Sequence, residues 1–158
     1  MAQENRQLVR QLMVSINRVD GIWYRLARHS GVKVNTLSLL FALDDGQPRT
    51  QKQICEEWII PKTTINTVVK ECAAAGYVDA GRPRNMTAQV GREKLLRLTP
   101  AGQQYAQEVL RPFYQAGNAA MAQTLTQCPP DFIQDLTVYA DCLEAEVRRS
   151  DPENPPQS

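Results

Sequence analysis

The sequence predicts a mainly α chain with a small β-hairpin, and three observations predict it. Ile65, Val68, Val69 and Cys72 recur at i, i+3, i+4 and i+7, the spacing of one apolar helix face. A shorter helix-like piece, residues 50–58, precedes them across a break at Ile59–Pro61. Strand signals at Tyr77–Val78 and Leu96–Leu98 then flank a loop holding Gly81, Pro83, Asn85 and Gly91. Two short helices joined by a tight turn and followed by such a hairpin describe a winged helix-turn-helix.

Each element has its own signal. Residues 4–29 read as a long amphipathic helix, with Leu8, Leu12, Ile16, Val19, Trp23 and Leu26 as its stripe and Gly31 as its stop. Asn35 or Thr36 could cap a second helix with Leu37, Leu40, Phe41 and Leu43 inward. The turn cluster Asp44-Asp45-Gly46-Gln47-Pro48 ends it. Thr50 is a good N-cap for the third helix, where Ile54 and Trp58 stand four apart. Pro61 has no N–H donor and fits the first turn of the fourth helix. Gly76 suits that helix's C-terminus.

Thr99-Pro100 is a strong start for a fifth helix running to about Leu125, with Tyr105, Val109 and Phe113 inward. Pro112 inside it predicts a kink or local break near Glu108–Leu110. Cys128-Pro129-Pro130 interrupts again. Asp131 then sits in the first turn of a last helix whose stripe is Phe132, Leu136, Tyr139, Leu143 and Val147. The tail, residues 151–158, is polar and proline-rich and reads as disordered. The first and last stripes have no evident partner in a small winged lobe. Pairing across a two-fold axis would bury them, the alternative being that they fold back on their own protomer. The first option gives the expected fold class, a winged helix-turn-helix with N- and C-terminal dimerisation helices.

The fourth helix carries the chemistry. Opposite its apolar face lie Lys62, Thr63, Asn66, Thr67 and Lys70, with no acid before Glu71. Lysines suit phosphates, and Asn and Thr suit base edges in a major groove. Between residues 80 and 98, Arg82, Arg84, Arg92, Lys94 and Arg97 face a single acid, Glu93. From residue 101 onward three bases stand against eight acids. The net charge of +1 therefore hides a polarity that would orient the protein on a polyanion.

Other classes fit poorly. A length of 158 residues suits one moderate domain or one protomer of an intertwined dimer. No apolar run is long enough for a membrane span, and the polar start MAQENRQLVR is no signal peptide, so a cytoplasmic protein without a membrane partner is expected. Cys55, Cys72, Cys128 and Cys142 are widely spaced and His29 is the only histidine, which argues against a zinc site. Cys55, Cys72 and Cys142 read as small buried hydrophobes, and Cys128 sits at a loop. Adjacent acids such as Glu56-Glu57 diverge on a helix and read as solvated surface. There is no glycine-rich phosphate loop. Neither an enzyme nor a cofactor is expected.

Ile54-Cys55-Glu56-Glu57, Pro61-Lys62-Thr63-Thr64-Ile65, Gly76-Tyr77-Val78 and Leu98-Thr99-Pro100-Ala101-Gly102 together resemble the MarR family of bacterial transcription regulators. The family's wing usually carries Asp-Arg-Arg, where this chain has Gly91-Arg92-Glu93. The resemblance implies a homodimeric repressor on a palindromic operator in double-stranded DNA. It implies residues 1–33 as an N-terminal dimerisation helix, 34–98 as the DNA-binding lobe and 99–150 as the C-terminal helices completing the dimer. Recognition helix 61–75 would enter the major groove through Lys62, Thr63, Thr64, Asn66, Thr67 and Lys70. The basic wing, 79–97, would use Arg82, Arg84, Arg92 and Lys94, with Arg92 the best candidate for the minor groove. Relatives place a small aromatic or phenolic ligand between the dimer helices and the lobe. Trp23, Tyr24, Arg25, His29, Phe41 and Phe113 are the matching candidates, aromatic walls plus a cation suiting a carboxylate. A winged helix used for protein contact without specific DNA binding is the alternative, and the basic ridge is what discriminates against it.

Overall fold

The computed structural model describes residues 2–81 and 94–150. In order the elements are α1 (Ala2–Ser30), α2 (Val34–Leu43), β1 (Arg49–Thr50), α3 (Gln51–Trp58), α4 (Lys62–Ala74), β2 (Val78–Gly81), β3 (Leu95–Leu98), α5 (Pro100–Thr124) and α6 (Phe132–Ser150). The chain is mainly helical with one small antiparallel sheet, the winged helix-turn-helix class that the sequence predicts. Two compact units are defined, Met1–Tyr114 and Gln115–Ser158. The wing arginines Arg82, Arg84 and Arg92 and the tail, residues 151–158, lie outside the described residues.

In the first unit α2 is apolar nearly all round, and it is buried on two sides. Leu39 and Leu43 join Ile54, Ile65, Val68, Val69, Val78 and Leu96 in a core under the helix-turn-helix. Leu37 and Leu40 join Ala27, Ala106, Leu110 and Phe113 in a second core. Lys33, not Asn35 or Thr36, precedes α2, and its carbonyl accepts from the N–H groups of Thr36 and Leu37. The chain thus turns helical before either candidate cap. Gly31 ends α1 at φ +70°, as a helix stop requires.

Thr50 closes a capping box on α3: its hydroxyl accepts from the Gln53 N–H at 3.2 Å, and the Gln53 side-chain oxygen accepts from the Thr50 N–H at 2.8 Å. The same residue ends β1, a two-residue strand that is too short to leave a sequence signal. The sheet order is β1-β3-β2, with Arg49 opposite Leu96 and Asp79 opposite Arg97. α4 ends in a Schellman turn. Tyr77 N–H reaches the Cys72 carbonyl at 2.9 Å, Gly76 N–H reaches Ala73 at 3.0 Å, and Gly76 takes φ +76°.

The turn between α3 and α4 is strained. Ile59 sits at φ 50° and is 85% exposed. A β-branched residue in this left-handed region costs about 1–2 kcal/mol, and here little burial offsets it. Ile59→Gly is expected to raise stability by about 0.5–1 kcal/mol in chemical denaturation. A loss of stability would contradict the strain. Pro61 stands as the N-cap of α4, one residue ahead of its first turn, and its carbonyl accepts from Ile65 N–H at 3.0 Å.

Arg49 ties the turn after α2 to α3. It donates to both Asp45 carboxylate oxygens, at 2.7 and 2.6 Å, and to the Ala42 carbonyl, and its Nε lies 3.5 Å from Glu57. The Arg49 guanidinium, helped by the Gln47 N–H, holds the Asp45 carboxyl down at about 2, against an ordinary 3.8. A carboxyl depressed by folding stabilises the fold above its unfolded value. That contribution is complete above pH 3.8 and drains away as pH falls through about 2. Wild-type protein should therefore lose stability over that window by a step that Asp45→Asn lacks. Coincident acid profiles would sink the assignment.

α5 begins with Thr99 as its cap, the Thr99 hydroxyl accepting from Gly102 N–H at 3.0 Å. The helix continues through Pro112 to Thr124 without the expected break. A proline inside a helix costs one backbone bond and a local clash, and buried Leu110 and Phe113 flank it on the core side. Inward residues are Ala106, Leu110 and Phe113, while Tyr105 and Val109 are half-buried.

The second unit holds the end of α5 and α6. Asp131 lies just before α6, its carbonyl accepting from Asp135 N–H, and Asp135 is the acid of the first turn. No α6 residue is buried: Leu136, Leu143 and Val147 are exposed, and Phe132 and Tyr139 half-buried. Cys142 is likewise exposed rather than buried, whereas Cys72 is buried and Cys55 half-buried. Burial pushes the Cys72 thiol up and keeps it neutral, as a packing residue.

Candidate nucleic-acid interface

Helix α4 is two-faced. Ile65, Val68, Val69 and Cys72 are 1–5% exposed and face the core. Lys62, Thr63, Asn66, Thr67 and Lys70 are exposed on the other side, and Thr64 is half-buried between them. Core packing thus turns the polar ridge to solvent. The Thr67 hydroxyl donates to the Thr63 carbonyl at 3.1 Å, which fixes its rotamer and leaves its lone pairs outward. Glu71, the first acid on the helix, is paired with Lys33 at 2.9 Å, so its charge is largely offset beside the ridge.

A groove of about 380 Å³ runs along the ridge. Its lining brings Lys62 and Asn66 together with Lys94, just before β3, and Lys52 of α3. Three ammonium groups and the amides of Gln51 and Asn66 around a shallow groove suit a phosphate backbone with a base edge beside it. Lys52 escaped the sequence reading because α3 offers no cationic run. Lys52 also lies 4.0 Å from Glu56 on its own helix, a weak exposed pair that a polyanion could displace.

A second groove, of about 560 Å³, is walled by Trp23, Tyr24, Phe41 and Phe113. Trp23 stacks on Phe113 with ring centres 5.8 Å apart, and Phe41 meets Phe113 edge-on at 5.9 Å. Trp58, which the sequence suggests only as a helix-face residue, closes one wall by stacking on Phe41 at 6.0 Å. Arg25 and His29 do not join the lining. His29 Nδ1–H donates to the Arg25 carbonyl at 2.7 Å, within α1. Among the described residues no group of three or more His, Cys, Asp or Glu could hold a metal ion, and no helix is long and apolar enough to cross a membrane.

The short sheet and the helix order define a winged helix-turn-helix fold, with the polar ridge of α4 exposed. Residues 30–85 match the model of the MarR family. Among solved structures, the chain is similar to NMB1585, a MarR family regulator from Neisseria meningitidis, at 24% identity and a TM-score of 0.75, over 89% of this chain and 96% of that one. It is similar to overoxidized AbfR bound to DNA, AbfR being from Staphylococcus epidermidis, at 19% identity and a TM-score of 0.59, over 92% and 98%. NadR in complex with 4-hydroxyphenylacetate matches at 13% identity and a TM-score of 0.57, over 86% and 88%. At these identities the likeness is one of fold. None of the curated proteins matches the sequence.

Proposed function

We propose that the protein is a homodimeric, sequence-specific DNA-binding transcriptional repressor of the cytoplasm. The observation that carries this reading is the α4 ridge: Lys62, Thr63, Asn66, Thr67 and Lys70 turned to solvent by a fully packed opposite face. Recognition helix 61–75 enters the major groove, with the lysines on phosphates and Asn66 on a base edge. Lys94, Arg82, Arg84 and Arg92 serve the wing, with Arg92 reaching the minor groove.

Dimerisation is supported by apolar surface left open on the terminal helices. Leu8 and Val14 of α1 are 62% and 61% exposed, and Val147 of α6 is 60% exposed. A second copy would bury these residues, each worth about 1.5–3 kcal/mol when fully covered. Two-fold symmetry then presents two recognition helices to successive major grooves of a palindrome. A small aromatic ligand in the groove beside α1 relieves repression by changing the spacing of those helices, without altering any DNA contact. The fold likeness to a DNA-bound protein and to one holding a phenolic acid is consistent with both halves of this reading.

The test is duplex binding by gel shift at several salt concentrations. Affinity should fall steeply as salt rises, because lysine–phosphate contacts release counterions. Absence of salt-dependent binding would refute the DNA reading and favour a winged helix that binds protein.

A further inference from the structure

The groove beside α1 carries an acid where the sequence suggests a cation. Asp20 is the one charged residue in its lining, and the walls are Trp23, Tyr24, Phe41, Trp58 and Phe113. Asp20 forms no ion pair or hydrogen bond with another described residue, so its carboxylate is free to meet a ligand. Arg25 and His29 of α1 stay out of the lining. Arg25 Nη1 lies 3.8 Å from where a Cβ on Gly21 would stand, along its own helix, and His29 is bonded to the Arg25 carbonyl.

Aromatic faces carry negative electrostatic potential and attract cations. A carboxylate at the rim adds to that attraction. For an anion both terms reverse, and no lining residue carries a positive charge to offset the cost of desolvating it. A volume of about 560 Å³ lies in the usual range for small-molecule sites.

We propose that this groove binds an aromatic cation, a planar ring between the aromatic walls with an ammonium group beside Asp20, and that it discriminates against aromatic carboxylates. The proposal rests on the reading of this groove as the effector site, and it names that effector's charge.

The test uses two probes of matched ring and opposite charge, tryptamine and indole-3-acetate, titrated calorimetrically into the full-length protein without DNA. Tryptamine should bind about tenfold more tightly or better. Asp20→Asn, a surface change that leaves both cores untouched, should bring the two probes within about threefold of each other. Equal or tighter binding of indole-3-acetate, a preference unchanged in Asp20→Asn, or no measurable binding of either probe would each overturn the proposal. Adding tryptamine to a protein–duplex complex separates the two claims. Binding with no change in duplex affinity would sink the effector role and leave the charge preference standing.

Discussion

Gly102→Ala should destabilise the lobe by about 3 kcal/mol or more, lowering Tm by about 6–12 °C. A Cβ on residue 102 would stand 1.9 Å from the Tyr77 carbonyl oxygen, 2.7 Å from its carbon and 3.0 Å from its Cα. These are backbone atoms, so no rotamer change relieves the overlap. The backbone cannot drift away cheaply either. Tyr77 N–H is held by Cys72 at 2.9 Å, its carbonyl accepts from Thr99 N–H at 3.0 Å, and the Thr99 hydroxyl donates to the Gly76 carbonyl at 2.6 Å. Tyr77 also stacks on Tyr105 with ring centres 4.2 Å apart. The contact therefore joins the end of α4, the start of β2 and the start of α5 at one point. Thermal melts of the two proteins check this, and an alanine variant that melts within about 1 °C of the parent would contradict the close approach.

Lys62→Ala combined with Lys70→Ala should weaken duplex binding roughly 10–100-fold, and by a similar factor for every sequence tested. Both lysines are exposed, and neither is paired among the described residues, so their removal disturbs no packing. Each lost phosphate contact removes about 0.9 from the slope of log affinity against log salt, so the double variant should lose about 1.8. Asn66→Ala should behave differently. An asparagine amide pairing with an adenine edge supplies about 1–3 kcal/mol of discrimination at one position, so total affinity falls modestly while preference there relaxes. Fluorescence anisotropy across a salt series separates the two patterns. An unchanged slope in the lysine double variant would remove both residues from the phosphate contacts.

Much of this was legible in the sequence because local chemistry dictates it. The spacing of Ile65, Val68, Val69 and Cys72 required a helix with that face buried, and the polar ridge follows from geometry alone. Thr50, Gly76 and Thr99 announced helix ends through groups that only a cap uses. Gly102 was visible as part of a familial pattern, but its reason, the Tyr77 carbonyl, belongs to tertiary structure. What escaped depends on elements far apart in the chain. Strand β1 has two residues and exists because β3 pairs with it. Leu39 is buried because α2 lies between two cores, which a one-sided stripe does not express. Trp58 and Asp20 join Phe41 and Phe113 in one groove through packing of α1, α2, α3 and α5, and no spacing in the sequence predicts that meeting.

Selecting bound duplexes from a random pool tests the central claim most directly. A twin ridge on a two-fold axis predicts an enriched inverted repeat with half-sites about one helical turn apart, and a position in each half-site whose preference disappears with Asn66→Ala. A pool that returns no repeat, or one in which Asn66→Ala leaves every position unchanged, would contradict it.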